Sequence, residues 1–242
     1  MTVFARALPE LLTDLGVKGV EILQSVRVDS FRGSSYSPEA SAITARARQR
    51  HHADGFGFWN HVLMLGATAP HATRQALYQG AVRGNPLGER KTRLSTKEFR
   101  QALEEGRWLD QPGRQLTSLS SRVWLNTGEV RHLNLLDFGI PLEAPGALQA
   151  AESALDALQT CGLLVSSGRS MHLYGAVTSS WTEYVEFLAR ASLLSPIVDA
   201  RWAAYSVLDG RGALRISTAA ERDQQPPELI ASDAWRRPPS QS

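Results

Sequence analysis

The sequence predicts an α+β fold in which a mainly helical first half precedes a largely antiparallel sheet flanked by helices. Three observations predict it. Up to residue 113 the apolar residues recur mostly at helical spacing. From Arg114 the period shortens to two, in runs that flank short turns at Asn126-Thr127-Gly128 and Ser167-Gly168-Arg169. Strands and helices do not alternate regularly as in a doubly wound sheet, and neither G-x-G-x-x-G nor G-x-x-x-x-G-K-[ST] occurs. The chain therefore divides into a mainly helical region over 1–113, an α+β core over 114–222 and a Pro- and Arg-containing tail over 223–242 that fits a surface-bound or disordered segment.

Taken in order, Phe4 to Leu15 is an amphipathic helix and Val20 to Val28 a strand. SFRGSSYSPEAS is a polar loop, and the next stretch begins basic at ITARARQRHH and turns apolar from Phe58. Trp59, Leu63, Met64 and Leu65 fit a buried helix or a short strand, and periodicity does not choose between them. Pro70 to Val82 is a further helix, ended by the Asn85-Pro86-Leu87-Gly88 turn. Ser95 with Glu98 three residues on is a capping-box pattern and opens another helix.

RQLTSLSSRVWLNTGEVRHLNLLDF is a hairpin whose second strand ends almost wholly apolar, as a central strand does. GIPLEAPG is a loop. Gly146 to Cys161 is a helix with Leu148, Ala151, Leu155 and Leu158 on one face and Gly162 as its stop. A second hairpin follows in LLVSSGRSMHLYGAV. After it come a helix through Trp181, Tyr184 and Leu188, a shorter helix in VDARWAAYSVLDG, and a last strand in GALRIST.

A composition of 43% hydrophobic and 21% charged residues fits a soluble globular protein. No apolar run is long enough for a membrane span, and the N-terminus lacks the pattern of a signal peptide. One cysteine, Cys161, excludes an internal disulfide and fits a reducing cytosol, so a cytoplasmic location is expected. A net charge of +2 does not demand a polyanionic partner. Lys18, Lys91 and Lys97 are the only lysines, leaving 23 arginines among 26 basic residues. Arginine suits bidentate phosphate contacts, although genomic base composition produces the same bias.

Three places can carry chemistry. Asp137 ends an apolar strand, where a carboxylate is costly unless paired or metal-bound; it also fits a loop-capping role. Ser166-Ser167-Gly168-Arg169-Ser170-Met171-His172 offers turn N–H groups, hydroxyls, a guanidinium and an imidazole, a set able to bind phosphate. The same residues also make an ordinary polar turn with a half-buried histidine. Asp199, in Val198-Asp199-Ala200-Arg201-Trp202, suits a helix N-cap. Arg215, within the apolar Leu214-Arg215-Ile216, needs a partner for its charge.

From Ser118 to Thr218 this series resembles archaeo-eukaryotic primases and primase–polymerases. LNLLDFG stands for the first, acidic motif, SGRSMHLYG for the Ser-x-His hairpin, and IVDARW with LRIS for the third acid and following strand. The resemblance implies an RRM-like palm as the core sheet. It implies Asp137, His172 and Asp199 as the catalytic set, with Asp137 and Asp199 as ligands of Mg²⁺ or Mn²⁺. Ser167, Arg169, Ser170, His172 and Arg215 would bind a nucleoside triphosphate. The implied chemistry is two-metal phosphoryl transfer. One departure stands out: the family pattern is Asp-x-Asp or Asp-x-Glu, and here Gly139 occupies the second position. With Glu143 four residues on and beyond Pro141, the acid is not replaced nearby, and affinity for paired cations falls.

Basic stretches extend the expectation to DNA or RNA. Arg46, Arg48 and Arg50 precede His51-His52; Arg83, Arg90, Lys91, Arg93, Lys97 and Arg100 form a second cluster. Such clusters attract phosphate backbones, and solvated helix faces account for them equally. His51-His52 lacks Cys or acidic partners at ligand spacing and fits a surface pair. The expected function is a primase-like nucleotide- or nucleic-acid-binding protein with weakened or lost polymerase activity. It would act with other protein subunits in DNA or RNA processing, whether replication, repair or antiviral defence, and without a membrane. The alternatives are an active primase or primer-extending polymerase, and a purely structural interaction subunit.

Overall fold

A computed structural model describes residues 2–26, 37–54, 57–83, 88–108, 115–218 and 226–230. The chain forms two compact units, one of residues 27–88 and the other of residues 1–26 with 89–242. Among the described residues there are eight helices and eight strands.

The smaller unit holds three helices, α2 (Pro38–Asp54), α3 (Phe58–Gly66) and α4 (His71–Arg83). The Ser37 hydroxyl accepts the Ala40 N–H ahead of Pro38, so α2 starts within the stretch expected to be loop. Ala40, Ala47, Trp59, Val62, Leu77 and Ala81 form its core, which settles Trp59 and its neighbours as helical. Residues 84–87, most of the expected Asn85–Gly88 turn, lie outside the described set.

The larger unit is a mixed α/β sandwich. Its strands are β1 (Val17–Val26), β2 (Gly88–Ser95), β3 (Gln115–Leu125), β4 (Val130–Asp137), β5 (Gly162–Ser166), β6 (Met171–Ser179), β7 (Ala213–Arg215) and β8 (Glu228–Leu229). They form one sheet in the order β2-β1-β3-β4-β6-β5-β8, with β7 paired to β3. One face packs against α1 (Val3–Asp14) and α5 (Thr96–Glu104) through Leu8, Leu12, Phe99, Leu119, Val123, Leu135 and Tyr174. The other packs its β4–β6 half against α6 (Ala147–Ala157), α7 (Trp181–Ser192) and α8 (Ala200–Leu208) through Leu136, Phe138, Leu164, Leu173, Leu188 and Val198. The expected capping box Ser95–Glu98 opens α5, and a second, Ser180–Glu183, opens α7. The antiparallel sheet flanked by helices agrees with the expected fold class.

Three local expectations need correction. The helix expected to reach Cys161 stops at Ala157, because Gln159 takes a left-handed conformation (φ 52°) and Thr160 N–H bonds back to Leu155. Gly162 then opens β5. Arg90, Lys91 and Arg93 lie on strand β2 instead of a helix face; an edge strand with little to bury can be mostly charged, which hid it from apolar periodicity. Finally, part of the C-terminal tail is ordered as β8, paired with Val165 and Ser166 of β5.

The β3 edge is shared. Near its C-terminal end Arg122, Val123 and Trp124 pair with β4, whereas Ser118, Leu119 and Ser120 pair with β7. This splitting brings the end of β7 to the end of β4.

Candidate functional site

At that end of the sheet the chain gathers Asp137, His172, Asp199 and Arg215. Leu135 and Leu136 bury to opposite sides, and the strand releases Asp137 at its last position, opposite His172 in the β4–β6 ladder. His172 Nε2 stands 3.6 Å from Asp137 Oδ1. Burial, and then the charge of Arg215, pull the imidazole down to about 3, so it is neutral near pH 7. The approach to Asp137 is therefore not an ion pair. Among the described residues, the buried His172 Nδ1 has no hydrogen-bond partner.

A short lane of chain runs beside the β4 end. Asp199 N–H donates to the Asp137 carbonyl (2.8 Å), Gly139 N–H donates to the Ile197 carbonyl (2.9 Å), and Phe138 bridges Val198. Asp199 is thus brought next to Asp137, but its carboxylate already has work at the start of α8. Oδ1 accepts the Arg201 and Trp202 N–H groups at 2.9 and 3.0 Å, an N-cap. The lane also fills the space beside Gly139, where an added Cβ would lie 2.8 Å from the Pro196 carbonyl oxygen.

The Ser167–Ser170 turn closes on itself. Ser167 N–H and hydroxyl both reach the Ser170 carbonyl, and the two hydroxyls lie 3.1 Å apart. Arg169 is exposed at the tip, while Ser167 is buried. Arg215 donates to the Ser167 and Ser217 carbonyls, tying the turn to β7. Burial lowers the Arg215 guanidinium from its ordinary value, partly offset by Tyr174 and Asp137. Tyr174 was not foreseen. Its hydroxyl donates to the Arg215 carbonyl (2.9 Å), its ring meets Phe4, and burial pushes its phenol upward. The tyrosine two residues beyond the histidine on β6 was the only signal for it.

Asp137 supplies one carboxylate, Asp199 is engaged as a cap, and Gly139 has neither a ligand nor room for one. Among the described residues no three His, Cys, Asp or Glu side chains come together as a metal-holding group. Arg46, Arg48 and Arg50 are exposed on α2 in the other unit. A helix turns about 200° over two residues, so Arg48 points away from the face shared by Arg46 and Arg50. Arg90, Lys91 and Arg93 are exposed on β2.

No helix among the described residues is long and apolar enough to cross a membrane. No curated protein and no solved structure matches the chain. The profile of the family described as archaeo-eukaryotic primase 1D-like matches residues 95–228, more than half the chain, from the start of α5 to the first residue of β8. The strand-end aspartate, the Ser-x-His hairpin and the capping aspartate all fall inside that match, and the chain belongs to the archaeo-eukaryotic primase-like family.

Proposed function

We propose that this protein binds nucleotide or nucleic acid at the Asp137–His172–Arg215 end of its sheet, with polymerase chemistry weakened or lost. In this reading it serves as a primase-like component of a larger DNA- or RNA-processing or defence assembly. The observation that carries the reading is at Gly139. The second acid of the first motif is missing, and the Pro196 carbonyl stands where its Cβ would project. Without that acid, and with Asp199 committed to α8, two divalent ions lack the carboxylates that would hold them together. Phosphate recognition needs fewer groups. The exposed Arg169, the fork of N–H groups on Arg215 and the His172 imidazole supply donors without any cation. Mg²⁺ or Mn²⁺ would at most accompany a bound triphosphate.

The test pairs two assays on the full chain. Nucleoside triphosphate binding is measured with Mn²⁺ and again with a chelator, and primer synthesis and extension are followed with Mn²⁺. Binding that survives chelation, falls in His172→Ala and Arg215→Ala, and is unaccompanied by extension agrees with the proposal. Extension by the wild-type protein that vanishes in Asp137→Ala would establish an active polymerase instead. Unchanged nucleotide affinity in both variants, with each still folded, would remove the pocket.

A further inference from the structure

The opposite end of the sheet carries a second set of groups that the phosphate-binding reading does not use. Gly19 on β1 lies between β2 and β3 and pairs with Trp124. With no side chain there, Arg93 crosses the strand and lays its guanidinium 4.0 Å from the centre of the Trp124 ring; a Cβ on Gly19 would sit 3.4 Å from Arg93 Nε. Lys91, two residues before Arg93, shares its side of β2. On the same side Trp124 is followed by Arg122, which pairs across the ladder with His132. His132 is a diagonal neighbour of Trp124, about 7–8 Å away between Cα atoms. Its ring contacts Trp181 at 5.1 Å and stacks on Tyr184 at 5.2 Å. Trp181, at the start of α7, leaves 37% of its surface exposed. Arg93 and Lys91 are exposed, and Arg122 and Trp124 partly so.

The charges along this strip are unequal. Glu21 is held by the Ser120 hydroxyl at 2.8 Å and by Arg211 at 3.8 Å. Glu129 and Glu183 both pair with Arg131. Among the described residues, none of the ion pairs includes Lys91, Arg93 or Arg122. Three cations thus alternate with two flat aromatic platforms across neighbouring strands. A duplex offers phosphates but keeps its base faces stacked inside. A single strand offers both together, and stacking on indole or guanidinium planes tolerates any base.

We infer that the Arg93–Trp124–Arg122–Trp181 strip is a docking surface for single-stranded nucleic acid, with bases on the two tryptophans and phosphates on Lys91, Arg93 and Arg122. This surface is separate from the Asp137–His172 end and does not depend on what that end binds.

The test is fluorescence anisotropy with short labelled oligo(dT) and oligo(rU), and with a duplex of the same length. Trp124→Ala and Trp181→Ala should each weaken single-strand binding about five- to a hundredfold. Trp124→Phe, which keeps an aromatic face, should bind nearly as the wild type. Arg122→Ala should flatten the salt dependence by about 0.7 in log K against log[salt]. Arg190→Ala, on α7 outside the strip, should leave oligonucleotide binding intact. Duplex binding as tight as single-strand binding would overturn the inference. So would oligonucleotide binding unchanged in both Trp124→Ala and Trp181→Ala, or no oligonucleotide binding in low salt.

Discussion

Asp199 donates its backbone N–H to the carbonyl of Asp137 at 2.8 Å, while its own carboxylate caps α8. The two aspartates that the family pattern would place on metal are therefore joined through their main chains. That joint has consequences for every residue around it.

Restoring the missing acid should not restore a cation site. In Gly139→Asp the new Cβ meets the Pro196 carbonyl oxygen at 2.8 Å, and two backbone hydrogen bonds hold the lane in place. Overpacking of this kind costs about 1–3 kcal/mol. For a chain of this size that lowers the melting midpoint by about 2–4 °C per kcal/mol. Gly139→Ala should show the same loss. A Gly139→Asp protein that melts like the wild type and gains primer extension would contradict the geometry.

Asp199 separates a cap from a ligand. A serine at this position still accepts the Arg201 and Trp202 N–H groups but carries no charge. Asp199→Ser should melt within a few tenths of a kcal/mol of the wild type, and Asp199→Ala should lose about 0.5–2 kcal/mol. Denaturant unfolding of both variants measures the difference. Equal destabilisation in the two would show that the carboxylate matters for more than the cap.

Two buried histidines make the fold sensitive to acid. His172 is held down to about 3, and His132 to about 4, in both cases first by burial and then by a nearby arginine. Each has a folded pKa below its unfolded value of about 6.5. Between those values the unfolded chain binds more protons, so stability is complete above about pH 6.5 and is lost as pH falls towards 3–4. For His172 alone the loss by pH 5 is about 2 kcal/mol. Melting curves from pH 7.5 to pH 4.5 should fall steadily, and His172→Asn should fall less steeply than the wild type.

The hairpins and the Ser95 capping box were readable because their causes are local. Asn126-Thr127-Gly128 and Ser167-Gly168-Arg169 make turns whatever the rest of the chain does, and Ser95 with Glu98 closes its own first turn. The order of Asp137, His172 and Asp199 was readable too, and the structure brings them to one end of the sheet. What escaped was set by neighbours distant in sequence. Strand β2 is stabilised by pairing at the sheet edge, so GERKTRLS needs no apolar rhythm. The lane at Ile197 and Val198 is apolar after a proline, which looks like a lead-in to a helix. Nothing local reveals that it bonds to Gly139. Arg215 announced itself as a charge in an apolar strand, but its partners are carbonyl oxygens of Ser167 and Ser217, which carry no side-chain signal.

Arg215 links the hairpin, β7 and the titration of His172, so one substitution should move three observables together. Arg215→Met keeps much of the buried stem and removes the guanidinium. The Ser167 carbonyl then loses its donor, and hydrogen exchange should rise through Ser166–Ser170. Charge-assisted hydrogen bonds of this kind contribute about 1.5–3 kcal/mol each, which bounds the loss in stability. Removing a cation beside a neutral imidazole makes protonation easier, so the His172 pKa should rise from about 3 and the acid sensitivity of the variant should shrink. An NMR titration of His172 measures that shift directly. If Arg215→Met destabilises the protein without moving the His172 titration, the guanidinium acts only as a structural tie, and its electrostatic reach into the Asp137–His172 end is disproved.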